Sequence, residues 1–364
     1  APRDVPPHDN SAVDGYAVFF EDLNLKAKTR LPIRGRVAAG HPLGHAPNHG
    51  QAIQIFTGAP MPVGMDTVFM EEDCQFEGDK VILPPGLNKG SNRRFKGEDV
   101  KKNDLVIATG QRLRPQELGL AASVGYAELK VFQPLKAAVF STGDEVCDPS
   151  EKVSEGCIYD ANRFAVMGLL KDLGCKVTDL GIVPDDKDTI RNTLNKAAAS
   201  HDVVITSGGV SAGEADHIKA AVEKNGSIYF WRLSVKPGRP IALGQVANTP
   251  FVGLPGNPVA AMVTFMILAR PLILILAGAS NLSATRFPVK AGFDYKKKIG
   301  RREWVRAKLQ HHGDSLIAQN YEAGGSGILR SMVFADGLIE LSEEQIDVSI
   351  GDMVNFIPFN EVTR

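Results

Sequence analysis

The residues most suited to chemistry lie in four short stretches of this 364-residue chain. In TSGGVSAGEADH (206–217), Gly208, Gly209 and Gly213 follow a β-rich run, so backbone N–H groups can approach an oxyanion closely. Ser207 adds a hydroxyl just before them and Asp216 a carboxylate just after. The glycine spacing fits neither the Rossmann fingerprint nor the Walker A loop, which argues against a dinucleotide or P-loop site. STGDE (141–145) ends a second such run. Ser141 and Thr142 offer hydroxyls, Gly143 a turn, and Asp144 and Glu145 the carboxylates that magnesium takes together with phosphate oxygens and water. Asp185 and Asp186 end the strand between these two and can join them. GLPGNPVAA (253–261) is a third strand end, with Pro255 and Pro258 bracketing the start of a helix whose free N–H groups suit an anion. VKPGRP (235–240) fixes the cations Lys236 and Arg239 on a proline-braced turn.

Each of these has a plainer reading. Glycines punctuate loops everywhere, and a single acid is more often a cap or a turn residue than a ligand. HDNSAVDGYA (8–17), FTGAPMP (56–62) and RRFKGEDV (93–100) read, taken alone, as Asx-turns and capping segments. His41, His45 and His49 recur every fourth residue, but Pro42, Gly44 and Pro47 preclude one helix face, so no metal site is expected there.

The elements that must position the four stretches form an alternating pattern. From Leu135 to about Ala279, short β-rich runs alternate with helical stretches, the signature of a parallel sheet covered by helices on both faces. LKAAVFSTG (135–143), KVTDLGIVPD (176–185) and HDVVITSGG (201–209) read as strands, and NRFAVMGLLKDLG (162–174) and DKDTIRNTLNKAAAS (186–200) as helices. A helix over roughly 215–225, an extended stretch 227–238, a strand within 240–254 and a long helix from Pro258 complete the unit. Upstream the chain is rich in Gly, Pro and short β-like runs, with no long helical period before RPQELGLAASVGYAELK (114–130), which predicts a separate, mostly β domain. Beyond about 286, VKAGFDY, EWVRAKLQ, GLIELSE and DMVNFIPF predict a small closing β domain.

Composition bounds the rest. The length favours two to four domains. A formal net charge of -1 gives no global field for nucleic acid or an acidic membrane, so an anion must be met by a local patch. Cys74, Cys147, Cys157 and Cys175 have no zinc-knuckle or redox spacing, and free thiols in a reducing cytosol are expected. No signal peptide opens the chain, so a cytoplasmic location is expected. The apolar run from Val259 to Ala277 reads as a buried helix, kinked or broken at Arg270 and Pro271, and not as a membrane span.

DNSAVDGYA, FTGAPMP, RRFKGED, STGDE, TSGGVSAGEAD, VKPGRP and GLPGNPV together, in that order over about residues 9–260, resemble the molybdopterin molybdenumtransferase (MoeA) family, which includes the E domain of gephyrin. The resemblance implies an α/β plus β multidomain chain. A doubly wound, MogA-like molybdopterin-binding α/β domain would span 135–285 and a β-rich inserted domain 16–100. A partial elongated helical domain would combine 1–15 with 101–134, without the family's helical segment ahead of DNSAVDGYA, and a small β domain would span 286–364.

It also implies an activity: adenylylated molybdopterin is hydrolysed and molybdate inserted at its dithiolene, releasing AMP and the molybdenum cofactor, with Mg2+ neutralising phosphate charge. By similarity, Glu145 and Asp216 lead for metal binding or water activation, followed by Asp185 and Asp99. Asp14 and Thr57 match positions that reach the site from the other subunit of a homodimer. Lys236, Arg239, Ser326 and Arg301 or Arg306 are expected at the molybdate pocket, where Ala260 stands in place of a serine common in the family. Implied partners are a molybdopterin adenylyltransferase and molybdoenzyme maturation factors, with no nucleic acid and no membrane. Two alternatives are a molybdopterin adenylyltransferase or CinA-like enzyme of the same superfamily, and a non-catalytic dimeric scaffold of gephyrin type. Neither accounts for the complete set of motifs and charged residues.

Overall fold

The structure, a computed structural model, describes residues 1–209, 217–313, 315–322 and 324–363, and of Trp231 the backbone only. Two compact units divide the chain, Ala1–Lys130 and Val131–Arg364.

The first unit contains β1 (Asn10–Ser11), β2 (Gly15–Val18), β3 (Thr29–Val37), β4 (Ala52–Ile55), β5 (Thr67–Met70), β6 (Gln75–Glu77), β7 (Lys80–Leu83), β8 (Arg93–Arg94) and the helix α1 (Pro115–Ser123). Six strands form one sheet in the order β5-β2-β4-β3-β7-β6, and β1 pairs with β8. Successive side chains of β2 serve opposite faces: Tyr16 and Val18 pack with Leu31, Phe69 and Val81, whereas Ala17 packs with Val37, Ile53 and Val68. Pro115 occupies the first turn of α1, and the Glu117 carboxylate accepts from the Arg114 N–H at 2.9 Å. The helical pattern expected to run to 130 stops at Ser123, because Gly125 turns the chain with a left-handed φ of +99°.

The α/β part of the second unit runs β9 (Lys136–Thr142), β10 (Val146–Cys147), β11 (Ile158–Tyr159), α2 (Asn162–Asp172), β12 (Lys176–Val183), α3 (Lys187–Ala198), β13 (Val203–Ser207), α4 (His217–Asn225), β14 (Gly226–Arg232), β15 (Val235–Lys236), β16 (Pro240–Val246), β17 (Thr249–Leu254), α5 (Pro258–Thr264) and α6 (Arg270–Leu276). The sheet order is β12-β9-β13-β17-β16-β14. Its first four strands are parallel, and β16 and β14 are antiparallel additions. The single strand expected within 240–254 is therefore a hairpin. Its turn at Ala247 takes φ +51° without the glycine that would have marked it in the sequence.

Alternation along the strands fills both faces. Ala137, Val139, Val203, Ile205 and Val252 meet α2 and α5, while Ala138, Phe140, Val204 and Phe251 meet α3 and α4. The sheet is thus doubly wound. The chain leaves β9 for β12 on one side and returns to β13 on the other, so the strand order reverses between β9 and β13. The crevice outside the carboxyl ends of strands at such a reversal is where ligands of open α/β sheets bind.

The apolar run keeps helical form from Pro258 to Leu276, and over half of it is buried. A π-turn at Phe265–Ala269 sits just ahead of Arg270 and Pro271 and accommodates the lost backbone donor, so the expected break is a local widening.

The remaining elements are β18 (Phe287–Ala291), β19 (Tyr295–Lys296), β20 (Arg302–His312), β21 (Ser315–Asn320), α7 (Arg330–Phe334), β22 (Gly337–Leu341), β23 (Asp347–Val348), β24 (Met353–Pro358) and α8 (Phe359–Val362). Their sheet runs β15-β20-β21-β18-β24-β22, and an extra β20–β22 pairing closes five of the strands into a ring. Trp304, Met332, Leu338 and Ile357 belong to the same apolar cluster as α2 and α5, so the core continues across position 286. The β15 segment pairs with β20 in parallel register, Lys236 opposite Glu303, which ties the lysine-bearing turn to the C-terminal sheet.

Candidate active site

A cavity of about 1160 Å³ opens within the second unit at the carboxyl ends of β9, β13 and β17. Ser141, Thr142 and Glu145 line it from β9; Ser207, Gly208 and Gly209 from β13; Pro255, Asn257 and Pro258 from the β17–α5 junction. Facing them are Lys236, Arg239, Arg301, Glu303, Arg306 and Ser326. The structure thus brings most of the expected residues together, hydroxyls and glycines on one wall and cations on the other.

The wall geometry follows from backbone constraints at two glycines. Gly208 has φ +89°, and a Cβ there would lie 2.3 Å from the Thr142 carbonyl oxygen, so only glycine lets the β13 end lie against the β9 end. Gly238, with φ +91°, would drive a Cβ to 2.0 Å from Thr264 Cγ2, which is how the lysine turn seats on α5.

The hydroxyl wall is unsatisfied from within. Ser141 Oγ and Thr142 Oγ1 are buried and have no hydrogen-bond partner among the described residues. Buried polar groups are normally paired, so two orphans facing a cavity mark positions for ligand atoms. Ser207 Oγ is held instead: it accepts from Asn162 Nδ2 at 2.8 Å and donates to the Pro255 carbonyl at 3.3 Å. Asn162 also donates to the Gly256 carbonyl at 2.7 Å, binding two strand ends to α2.

On the cationic wall, Glu303 is 1% exposed and gathers several donors. The Tyr295 hydroxyl donates to its Oε2 at 2.7 Å, Lys236 Nζ to Oε2 at 3.2 Å, and Arg301 to Oε1 at 2.8 Å. Burial opposes ionisation of Glu303, but these bonds outweigh it and hold its carboxyl below the ordinary range. Burial likewise opposes the Lys236 ammonium, and its bonds to Tyr295 and Glu303 outweigh that and raise its pKa. Arg306 differs. It donates to Ser331 Oγ at 3.0 Å and to the Gly325 carbonyl at 3.1 Å, has no carboxylate partner among the described residues, and burial lowers its pKa. A desolvated guanidinium without a counterion calls for an anion.

Behind the cavity, Arg163 of α2 is 3% exposed and joins Asp148, Asp160 and Asp179 from three separate segments. Asp160, itself buried, also lines the cavity.

Several expected residues stand elsewhere. Asp185 lies beyond the end of β12; its Oδ1 is buried without a partner among the described residues, and it is not one of the described residues that line the cavity. Asp186 is occupied as the N-cap of α3, accepting from the N–H groups of Asp188 and Thr189. Gly143 does not line the cavity; its φ of +145° makes the turn that presents Glu145, whose Oε2 is 2.7 Å from where a Cβ would stand. Asp216 and Gly213 lie outside the described residues. Asp14, Thr57 and Asp99 belong to the first unit. There Asp14 Oδ1 accepts from both the backbone N–H and the hydroxyl of Thr57 at 2.7 Å, bonds that hold its carboxyl below the usual range.

Among the described residues no three His, Cys, Asp or Glu gather into a metal cage. The Glu145 carboxylate is exposed, points into the cavity and is unpartnered among the described residues. Beside two orphan hydroxyls this donor set suits magnesium, which takes one or two carboxylates and completes its shell with phosphate oxygens and water.

Asn162, Tyr295, Glu303 and Trp304 were not singled out from the sequence. Asn162 looks like a helix-start residue, and Glu303 and Trp304 look like the alternating positions of an ordinary strand. The β15–β20 register, which sets Lys236 opposite Glu303, reveals the role of Glu303, and the bonds to Ser207 and Gly256 reveal that of Asn162.

A doubly wound sheet whose hydroxyl- and glycine-bearing strand ends oppose a bank of cations defines an enzyme domain for phosphorylated or oxyanionic ligands. Three family models match in order: the MoeA N-terminal region (domain I and II) over residues 1–125, the "Probable molybdopterin binding domain" over 138–274, and the MoeA C-terminal region (domain IV) over 288–359. The molybdopterin molybdenumtransferase of Haemophilus influenzae is 41% identical over all of this chain and 90% of its own length. Molybdopterin molybdenumtransferase 2 of Mycobacterium tuberculosis is 33% identical over 96% of this chain and 88% of its own. The crystal structure of the molybdopterin biosynthesis MoeA protein from Pyrococcus horikoshii superposes with a TM-score of 0.83 at 28% identity, covering 98% of this chain and 89% of that one. The chain belongs to the molybdopterin molybdenumtransferase (MoeA) family.

Proposed function

We propose that this chain inserts molybdenum into molybdopterin, hydrolysing adenylylated molybdopterin and transferring molybdate to its dithiolene with release of AMP. The observation that carries the reading is the convergence of orphan hydroxyls on Ser141 and Thr142 with the cations Lys236, Arg239 and Arg306 around one cavity. The strand ends of β9 and β13 hold the phosphates through hydroxyls and glycine N–H groups. The opposite wall receives the molybdate dianion through charge-assisted hydrogen bonds. Glu145, with Asp216, would hold Mg2+, which would supply charge neutralisation for the phosphoanhydride oxygens and the leaving AMP. Asp185 and Asp99 stand as further carboxylates for this work, and Asp14 with Thr57 completes the site from the second subunit of a homodimer. The family match, the absence of a global charge field and the buried character of the apolar helix support a cytoplasmic enzyme that takes its substrate from a molybdopterin adenylyltransferase and passes its product to molybdoenzyme maturation factors.

The test is metal-dependent AMP release from adenylylated molybdopterin by the purified chain. Glu145→Ala and Asp216→Ala should abolish it without changing the melting temperature. Undiminished release in both variants would sink the role assignment. Accumulation of adenylylated pterin from ATP and molybdopterin would point to an adenylyltransferase instead.

A further inference from the structure

Among the cations on one wall of this cavity stands a residue that opposes anion binding: the buried carboxylate of Glu303. A negative charge there weakens the attraction for any oxyanion, so its presence needs a reason. Its contacts supply one. Both Glu303 oxygens are engaged, Oε1 by Arg301 through Nε at 3.1 Å and the terminal nitrogen at 2.8 Å, and Oε2 by the Tyr295 hydroxyl and Lys236 Nζ. Lys236 Nζ also donates to the Tyr295 oxygen at 2.8 Å, which closes a triangle of lysine, tyrosine and glutamate. The two cations come from separate segments, and the β15–β20 register sets Lys236 directly opposite Glu303.

Counting donors shows what remains. A lysine ammonium has three N–H groups, of which two are taken here, so the third has a fixed direction. An arginine has five, and Glu303 takes two on one edge of Arg301. Without the carboxylate, a lysine whose side chain is 49% exposed would swing on its four-carbon stem toward water.

We infer that Glu303 and Tyr295 are positioning residues that aim the remaining donors of Lys236 and Arg301 at the incoming oxyanion, an inference that rests on the reading of this cavity as the site of molybdate insertion. The two cations and one carboxylate keep a single net positive charge at the spot. The carboxylate gives up Coulomb attraction in exchange for donors that are already oriented, so little ordering is left for the binding step.

This account predicts the opposite sign from a purely electrostatic one. Glu303→Gln raises the net positive charge of the cavity, so simple attraction predicts tighter binding of an anion. Positioning predicts weaker binding, because the amide directs N–H groups at the cations it should hold. Titration calorimetry of sodium molybdate into the full chain, with AMP as a second probe for the strand-end wall, separates the two. We expect molybdate affinity to fall about ten-fold or more in Glu303→Gln, and several-fold in Tyr295→Phe, which loses only the bridging hydroxyl and guards against a misfolded Glu303 variant. AMP affinity should stay close to that of the unaltered chain in both. Molybdate binding that is unchanged or tighter in both variants overturns the positioning role alone. If the unaltered chain binds no molybdate, the reading of the cavity fails and the positioning role fails with it. Equal loss of molybdate and AMP affinity in both variants shows general damage and also overturns it.

Discussion

The Asn162 side-chain amide donates to Ser207 Oγ at 2.8 Å, so the first turn of α2 grips the end of β13. The same nitrogen reaches the Gly256 carbonyl, and three elements of the cavity wall depend on one amide. Asn162→Ala should lower unfolding free energy by about 1–3 kcal/mol, as expected when a buried group loses its partner. AMP release should fall further than that loss of stability accounts for, because Ser207 and the glycine end lose their placement. Urea denaturation alongside single-turnover AMP release measures both.

Arg163 is the only cation in contact with the buried Asp160 carboxylate among the described residues, and its removal leaves that charge uncompensated. Breaking a buried ion pair from one side costs about 3–5 kcal/mol. Arg163→Met should destabilise the protein on that scale in chemical denaturation. Combining it with Asp160→Asn should recover part of the loss, and a double variant no more stable than the single one would contradict the assignment.

The Glu303 network has a definite acid signature. Its folded pKa is depressed below the ordinary 4.5, so its contribution to stability is complete above that value and is lost as pH falls through the lower folded one. The Lys236 pKa is raised above 10.5, so its contribution is complete below 10.5 and is lost only as pH rises through the folded value. Between those limits the network is constant. The difference in urea midpoint between the unaltered chain and Glu303→Gln should therefore be flat across neutral pH and shrink on acidification below 4.5. A difference that grows with acid would contradict the sign.

Local chemistry made much of this molecule legible in advance. Strand ends carrying STG and TSGG, a proline-started helix and a KPG turn each have a local physical cause, and they are the segments that line the cavity. The hairpin of β16 and β17 was missed because its turn uses Ala247 in a conformation usually reserved for Gly or Asn. Asn162, Tyr295 and Glu303 were missed for a different reason. Their roles come from pairings between distant segments, and period-two alternation marks Glu303 only as an inward strand position. Asp185 ends the expected strand, and its buried Oδ1 has no hydrogen-bond partner among the described residues.

The proposed function requires that one cavity in the second unit receive both the phosphate and the oxyanion. A crystal structure of the full chain grown with AMP, molybdate and magnesium tests it most directly. The account predicts the AMP phosphate at Ser141, Thr142 and the Gly208–Gly209 loop, with molybdate against Lys236, Arg239 and Arg306. Ordered AMP and molybdate bound elsewhere, with this cavity holding only water, would contradict it.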